Sequence, residues 1–209
     1  MSSSDPSFRI VVLASGGGTN LQAIIDRLHG VDGITVAGVA SDKPEAFVLE
    51  RAAAAKIETG IFTRERHGDR LTRDLALADW IDSRKVDLVV LAGYMQLLSP
   101  EFVARFRSRI VNVHPALLPS FPGLDAIGQA LDHGVRVTGV TVHFVDEGTD
   151  TGPVILQRAV EVPANCEREQ LEAAIHAVEH EIYPEAIGMI ARGRVRIAAD
   201  NPRHVIVDQ

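Results

Sequence analysis

Cysteine, long apolar runs and excess positive charge are scarce in this sequence, and each shortage excludes a class of protein. Cys166 is the only cysteine among 209 residues, which excludes an internal disulfide and any site built from several thiolates. A reducing compartment permits such a composition. No stretch approaches the ~20 apolar residues of a membrane span, and residues 1–7 lack the apolar segment of a signal peptide. We therefore expect a cytoplasmic protein with a disordered start at residues 1–7.

The charge balance is acidic. Lys and Arg number 21 against 28 Asp and Glu, for a formal net charge of −7. This argues against a main task of binding nucleic acid or an anionic membrane, while a local site for one phosphate stays compatible. A hydrophobic fraction of 46% over 209 residues can bury a core of ordinary size, and no linker, internal repeat or low-complexity tract interrupts the chain. We predict a single domain, residues 1–209.

Apolar strands and amphipathic helices alternate along the chain, which predicts an α/β fold with a doubly wound, mainly parallel sheet. Residues 8–14 are typical of a strand that is buried on both faces. Residues 136–145 and 153–162 flank a turn-rich loop, so they predict an antiparallel extension near the C-terminus. The tail, residues 195–207, predicts a hairpin that covers one edge.

Two helices have features that the structure can test. The helix that begins at Arg70 has an apolar face predicted to be buried, formed by Leu71, Leu75, Ala78 and Ile81. The last helix begins near Glu167 and is expected to break before Pro184, because proline has no backbone N–H and clashes with the preceding turn.

Three consecutive glycines follow the first strand. The run from Ser15 to Asn20, Ser-Gly-Gly-Gly-Thr-Asn, leads directly into an amphipathic helix. Such a unit lets backbone amides and a helix N-terminus converge on an anion, with Thr19 and Asn20 adding side-chain donors. Leu21 stands where the dinucleotide fingerprint needs a third glycine, and no Walker lysine follows Gly18, so a monophosphate fits better than NAD or ATP. A tight turn without a ligand remains the alternative.

An apolar segment, residues 94–98, leaves the central strand predicted at residues 87–91. A loop of this kind at the carboxyl edge of a parallel strand is a suitable wall for a flat aromatic ligand. From the residues alone, however, Met95, Leu97 and Leu98 are more simply interpreted as core.

The most unusual chemistry lies in residues 110–123. Asn112 and His114 stand two apart on a short strand, so their side chains point to the same side. Three prolines then impose a stiff, extended loop at the carboxyl end of the strand, where open α/β sheets bind ligands. Leu118–Pro119 is the candidate for a cis peptide. Asp150, in the turn-rich loop, is expected at the same edge, and this amide, imidazole and carboxylate suit acyl transfer to a nucleophile that the substrate brings.

Two further patterns suggest metal sites. His176-Ala-Val-Glu-His180 matches the H-x-x-E-H pattern of inverted zinc peptidases, but Glu181 and Glu185 are too close to supply a third ligand. The acids of residues 146–150 lack a twelve-residue calcium loop and its terminal glutamate. We predict no metal. His143, beside these acids on its strand, is interpreted first as a core residue.

The sequence resembles the 10-formyltetrahydrofolate-dependent formyltransferases over nearly the whole chain, from Ile10 to about Arg194. The resemblance is carried by four motifs: Asn-Val-His-Pro with Leu-Leu-Pro at residues 112–119, Thr-Gly-Val-Thr-Val-His-Phe-Val at 138–145, Asp-Thr-Gly-Pro at 150–153, and Ser-Gly-Gly-Gly-Thr-Asn-Leu-Gln at 15–22. It implies a Rossmann-like fold with a phosphate-binding half, residues 8–110, and a catalytic and folate-binding half, residues 111–209. It also implies a homodimer.

The resemblance further implies formyl transfer from the co-substrate 10-formyltetrahydrofolate to the amine of a glycinamide ribotide, without a metal. Its ribotide residues are Gly18, Thr19, Asn20 and Glu179. Its folate residues are Arg70, Met95, Gln96, Leu97, Leu98 and Asn112. Its catalytic residues are Asn112, His114 and Asp150, with a protonated His114 whose charge Asp150 favours. Gln96 and Ala116 depart from the family, which is expected to have a basic residue and a serine there.

Other activities stay open. Relatives formylate methionyl-tRNA with a further basic domain, hydrolyse 10-formyltetrahydrofolate with an added regulatory domain, or formylate amino-sugars. Length and acidity favour the ribotide among these acceptors. A non-catalytic nucleotide-binding module would explain the glycine loop, but it leaves Asn112, His114 and Asp150 without a role.

Overall fold

The structure, a computed structural model, describes residues 7–208. The disorder expected for residues 1–7 therefore lies, apart from Ser7, outside the described residues. The described residues form two compact units, which divide between Val111 and Asn112. The assignment of all 209 residues to a single domain stays a prediction.

Seven strands form a mainly parallel sheet in the order β3-β2-β1-β4-β5-β6-β7. In chain order they are β1 (Phe8–Leu13), β2 (Ile34–Ser41), β3 (Thr59–Ile61), β4 (Leu88–Leu91), β5 (Ile110–His114), β6 (Val137–Phe144) and β7 (Val154–Glu161). β1 pairs in parallel with β2 and β4, and β2 pairs in parallel with β3. β6 and β7 pair antiparallel. The predicted α/β class and its antiparallel extension are confirmed.

The first unit is built around β1. Residues 10–13 of this strand are fully buried, as expected for a parallel strand covered on both faces. The helices of this unit are α1 (Thr19–Leu28), α2 (Phe47–Ala54), α3 (Arg64–His67), α4 (Arg70–Asp82) and α5 (Pro100–Arg105). The glycine loop follows β1, and the 94–98 segment follows β4. Both predicted loops therefore come after the carboxyl ends of parallel strands.

The prediction for the buried face of α4 is half wrong. Ala78 and Ile81 are buried, whereas Leu71 and Leu75 are each 42% exposed. The inner face is instead occupied at its start by Arg73 and Asp74, which form a buried ion pair. Apolar periodicity could not reveal this face, because a charged pair occupies positions that the pattern assigns to solvent.

The second unit contains β6, β7, α6 (Ala126–Asp132), α7 (Arg168–Ala191) and a hairpin of β8 (Val195–Ile197) and β9 (Val205–Val207). α7 packs on β6 and β7, and β9 contacts β7 at the edge of the sheet, as predicted for the tail. The expected break before Pro184 is wrong, because α7 runs through it. Pro184 is buried within the helix, where packing outweighs the loss of one backbone hydrogen bond.

No helix within residues 7–208 combines the length and the apolar character that crossing a membrane requires.

Candidate functional site

The glycine loop of the first unit turns its carbonyl groups towards α2. The Val48 amide donates to the Gly16 carbonyl at 3.0 Å, and Arg51 Nε donates to the Gly17 carbonyl at 2.8 Å. Gly18 caps α1 with no side-chain cap bond. First-turn amides of a helix have no acceptor within the helix, so this loop can bind an anion at the start of α1.

Gly18 has a double reason to be glycine. Its φ is +71°, a conformation that costs other residues energy, and an added Cβ would lie 2.7–2.9 Å from side-chain and backbone atoms of Val48. Gly16, two residues earlier, has nothing within 4 Å of an added Cβ. Thr19 is exposed beside this turn, and Asn20 is 9% exposed. The role of Gly18, Thr19 and Asn20 in binding a phosphate stays a prediction.

The 94–98 segment exposes two of its three large apolar side chains. Met95 is 58% and Leu97 67% exposed, whereas Leu98 is 9% exposed. The interpretation of all three as core is therefore wrong for Met95 and Leu97. Arg70, exposed at the start of α4, donates a hydrogen bond to the carbonyl of Leu98. All five folate candidates other than Asn112 fall in the first unit, although the sequence had assigned folate binding to residues 111–209.

The second unit brings together the three predicted catalytic side chains. His114 Nδ1 lies 3.4 Å from Asp150 Oδ2, and both side chains are largely buried. The Asp150 carboxylate also accepts a hydrogen bond from the Gly123 amide at 2.8 Å. Asn112 Nδ2 lies 3.4 Å from Nε2 of His143.

The loop after β5 fixes the imidazole of His114 from the other side. His114 Nε2 lies 2.8 Å from the Phe121 carbonyl, so this nitrogen carries a proton and donates it. Nδ1 then faces Asp150 and is the nitrogen available to a reacting group. Phe121 itself has a φ of +53°, an unusual backbone conformation for a large side chain that turns its carbonyl to the imidazole.

The titration of this cluster departs from one expectation. Burial lowers the pKa of His114, and the opposing effects of Asp150 and of the Phe121 carbonyl do not fully offset it. The neutral form of the His114 ring is therefore favoured over the protonated form that was expected from the sequence. Burial raises the pKa of Asp150, but hydrogen bonds from His143 and Gly123 and the two nearby imidazoles outweigh it, so the pKa lies below its ordinary range.

The proline-rich loop is held by hydrogen bonds to β6 and β7. Thr141 Oγ1 donates to the Ala116 carbonyl at 2.6 Å and accepts from the Leu118 amide at 3.0 Å. Gln157 Nε2, opposite Thr141 in the strand register, donates to the Leu118 carbonyl at 2.9 Å. Ala116 is fully buried, which agrees with a small side chain there. The Leu118–Pro119 peptide is cis, as the sequence suggested.

The two metal patterns gain no support. His176 is exposed, and its ring stacks at 6.4 Å on that of His180. Asp146 Oδ1 accepts hydrogen bonds from the Gly148 amide and the Thr151 hydroxyl of its own turn. Across residues 7–208, no group of three or more His, Cys, Asp or Glu side chains is arranged to hold a metal ion. Glu179 is 6% exposed on α7, so a carboxylate is placed inside the second unit.

Comparison with known protein families decides among the chemistries that this geometry allows. The family model described as formyl transferase matches residues 8–187, well over half of the chain. The chain belongs to the formyl transferase family. This assignment agrees with the pairing of Asn112, His114 and Asp150 at the end of β5 and in the loop after β6.

Named members of the family match this chain over most of their length. The phosphoribosylglycinamide formyltransferase of Escherichia coli K12 is 45% identical over 190 residues, covering 90% of this chain and 89% of the relative. The Bacillus subtilis enzyme of the same name is 41% identical, covering 86% and 92%. The crystal structure of glycinamide ribonucleotide transformylase 1 from Symbiobacterium toebii has a TM-score of 0.93 and 46% identity, covering 100% of both chains.

One residue that the sequence interpretation ranked as core also contacts the side chains that were predicted to be catalytic. His143 is 2% exposed, and its Nε2 is 3.7 Å from Asp150 Oδ1. Its Nδ1 lies 2.8 Å from the Phe144 carbonyl, and its Nε2 faces the Asn112 amide at 3.4 Å. The register shift between Val142 and His143 sets this ring apart from the regular strand. Alternation alone placed His143 on the face of Thr141 and could have suggested this role.

Proposed function

We propose that this protein transfers the formyl group of 10-formyltetrahydrofolate to the amine of 5'-phosphoribosylglycinamide, giving N-formyl-phosphoribosylglycinamide and tetrahydrofolate in de novo purine biosynthesis. The observation that carries the proposal is the His114–Asp150 contact of 3.4 Å beside Asn112, in a chain of the formyl transferase family. The named relatives, which match along nearly their whole length, support the ribotide as acceptor.

The phosphate of the ribotide is assigned to the glycine loop. Gly18 opens the turn, the first amides of α1 face the anion, and Thr19 and Asn20 add donors. A single phosphate fits a loop that has no Walker lysine. Glu179, a buried carboxylate on α7, is assigned to the glycinamide end, where it would hold the amide or amine by hydrogen bonds.

The folate is assigned to the segment after β4. The exposed side chains of Met95 and Leu97 offer an apolar surface to a flat ring system, and Leu98 supports them from the core. Arg70, Gln96 and Asn112 complete the assigned folate residues. A folate fits such a surface because its pteridine ring is planar and its edge carries hydrogen-bonding groups.

The chemical step is direct attack of the glycinamide amine on the formyl carbon. Negative charge then grows on the formyl oxygen, the Asn112 amide stabilises it by hydrogen bonding, and the His114 ring stabilises it by its positive charge once the ring has taken up a proton. A hydrogen-bond donor of this kind contributes a factor of roughly 10²–10³ in rate. No protein nucleophile is needed, because the acceptor brings its own amine.

Proton transfer is assigned to the His114–Asp150 pair. Since burial lowers the pKa of His114, the ring enters the reaction neutral and takes a proton at Nδ1 as charge develops. Asp150, whose carboxylate stays ionised, stabilises the resulting imidazolium at 3.4 Å. The proton leaves the attacking nitrogen and reaches the departing folate nitrogen through this pair, directly or through water.

A steady-state assay tests the proposal. Purified protein is given 10-formyltetrahydrofolate with and without the ribotide, in the presence of a chelator, and folate absorbance is followed. Turnover that requires the ribotide and survives the chelator is expected. Deformylation without ribotide would assign the protein as a hydrolase. Absence of turnover with the ribotide would favour an amino-sugar acceptor or, if the ribotide still binds, a non-catalytic module.

The assembly and compartment are part of the same proposal. Family resemblance supports a homodimer, and the lone cysteine suits the reducing cytoplasm. Sedimentation equilibrium across a hundredfold range of protein concentration measures the first, and fractionation of the source cells measures the second.

A further inference from the structure

A chain of hydrogen bonds crosses the first unit beneath residues 93–99. Ser15 Oγ, at the end of β1, donates to Asp42 Oδ1 at 2.5 Å. Gln96 Nε2 donates to Asp42 Oδ2 at 2.8 Å, and Arg73 Nη1 donates to Gln96 Oε1 at 2.8 Å. The amide of Gln96 therefore uses its donor end and its acceptor end on two different charged groups, and both point inward.

Arg73 connects this chain to a buried ion pair. Its Nε and Nη2 donate to Asp74 Oδ1 at 2.9 and 2.7 Å, and the two side chains are 1% and 0% exposed. Asp74 Oδ2 accepts from the Ser99 amide at 2.6 Å, and Arg73 Nη2 reaches the Leu97 carbonyl at 3.3 Å. A buried ion pair is weak evidence for stability, so its attachment to one loop points to a role in shaping that loop.

The loop is consequently held at four backbone groups. These are the Met95 amide, which donates to Ser15 Oγ at 2.8 Å, the carbonyls of Leu97 and Leu98, which accept from Arg73 and Arg70, and the Ser99 amide. The side chains of Met95 and Leu97 remain exposed between these fixed points. A fixed backbone with exposed apolar side chains is preorganised for a rigid ligand, since little ordering remains to be done on binding.

We propose that Gln96 and Arg73 are positioning residues that set the backbone of residues 93–99 for the folate, and that position 96 does not contact the charged tail of that ligand. This inference rests on the folate role proposed above for the loop. Gln96 is suited to the task because only a side chain with both an acceptor and a donor can join the Arg73 guanidinium to the Asp42 carboxylate.

The test variant is Gln96→Met, which keeps a similar length and loses both hydrogen bonds. We expect the KM for 10-formyltetrahydrofolate to rise about tenfold, because two bonds to charged groups are lost. The KM for the ribotide and kcat should stay within about twofold of the wild-type values, since the substitution affects neither the amine of the ribotide nor His114. Amide hydrogen exchange should accelerate at Met95 and Ser99 and stay unchanged in α7. An unchanged folate KM overturns the inference, whatever the exchange shows.

A second variant, Gln96→Arg, distinguishes a positioning role from a contact with the folate tail by the direction in which the folate KM changes. Gln96→Arg removes the acceptor for Arg73 and sets two guanidinium groups against each other, so the inference predicts a higher folate KM. A contact between position 96 and an anionic tail predicts a lower folate KM, because the new charge is opposite. A lower KM in Gln96→Arg would overturn the inference.

The matched control is Arg105→Met. Arg105, at the end of α5, pairs with Asp79 and Asp82 of α4 at 2.8 and 2.6 Å, but this contact lies on the exposed surface. Its loss should leave the folate KM and the exchange of residues 93–99 unchanged. Failure of the proposed function is distinguishable, because the wild-type protein would then show no ribotide-dependent turnover, while the exchange measurement would still report on the loop.

Discussion

The glycine loop of the first unit and the histidine cluster of the second present different parts of the chain to a ligand. After β1, carbonyls bound by Val48 and Arg51 hold the turn, and the groups proposed to bind the ligand are backbone amides with the side chains of Thr19 and Asn20. After β5, the groups are the side chains of Asn112 and His114, with Asp150 from another loop. In the proposed function, the first arrangement recognises a charge by the geometry of its backbone, and the second can also change its own protonation.

This difference predicts different sensitivities to mutation. A site made of backbone groups fails when the path of the chain changes, so its most sensitive positions are glycines. A site made of titratable side chains fails when one of them is removed, although the fold persists. The variants below test whether binding and chemistry separate in this way.

The largest effect is expected for His114→Ala. Loss of the imidazole removes the proton carrier and the positive charge that it brings beside the oxyanion, so kcat should fall by a factor of about 10³ or more, while both KM values change modestly. Steady-state kinetics measure this, with His204→Ala as a control, since His204 is exposed in the C-terminal hairpin. A loss of less than about tenfold would remove His114 from the chemical step.

Gly18→Ala should act next most strongly, through the fold of the loop. Because φ is +71° and the new Cβ would lie 2.7–2.9 Å from Val48, we expect a loss of about 2–4 kcal/mol in the free energy of unfolding together with a higher ribotide KM. Denaturant unfolding measures the first. Gly16→Ala, with nothing within 4 Å, is the control and should be nearly neutral. Equal effects at the two positions would contradict the steric argument.

Thr19→Ala with Asn20→Ala should change binding alone. Loss of two donors to a charged phosphate should raise the ribotide KM by about 10–100-fold, with kcat and the folate KM nearly unchanged. Thr19→Ser keeps the hydroxyl and serves as the matched control. An unchanged ribotide KM in the double variant would remove the side chains of Thr19 and Asn20 from the phosphate site.

Sequence patterns predicted best what depends on short-range periodicity. The continuous apolar β1, the glycine turn into α1 and the pairing of β6 with β7 follow from neighbours in the chain, and all three are confirmed. Asn112 and His114 were placed together because alternate residues of a strand share a face. Their meeting with Asp150 depended on the topology of the fold, which the alternation of elements predicted.

The features that sequence missed depend on contacts between distant residues. Arg73 and Asp74 are buried on the inner face of α4 because Arg73 donates to Gln96 and Asp74 accepts from the Ser99 amide. No local pattern signals such a buried pair. A break was expected in the last helix before Pro184, yet packing keeps α7 continuous. The lowered pKa of His114 likewise results from burial, which a sequence does not reveal, so the expected protonated ring is corrected to a neutral one.

The smallest effect is a dependence of stability on pH that the histidine cluster should show and the glycine loop should not. Since burial lowers the pKa of His114, the unfolded chain takes up this proton first, near the ordinary pKa of about 6.5. Stability should therefore fall as the pH falls through that value and level off below the folded pKa, with a slope of at most about 1.4 kcal/mol per pH unit. Asp150, with its lowered pKa, contributes stability above its ordinary value and loses it only at more acid pH. His114→Gln should flatten the curve between about pH 5 and 7, and denaturant midpoints across that range measure it. Parallel curves for wild type and variant would show that the ring is not desolvated in solution, and the neutral entry state assigned to His114 would then be wrong.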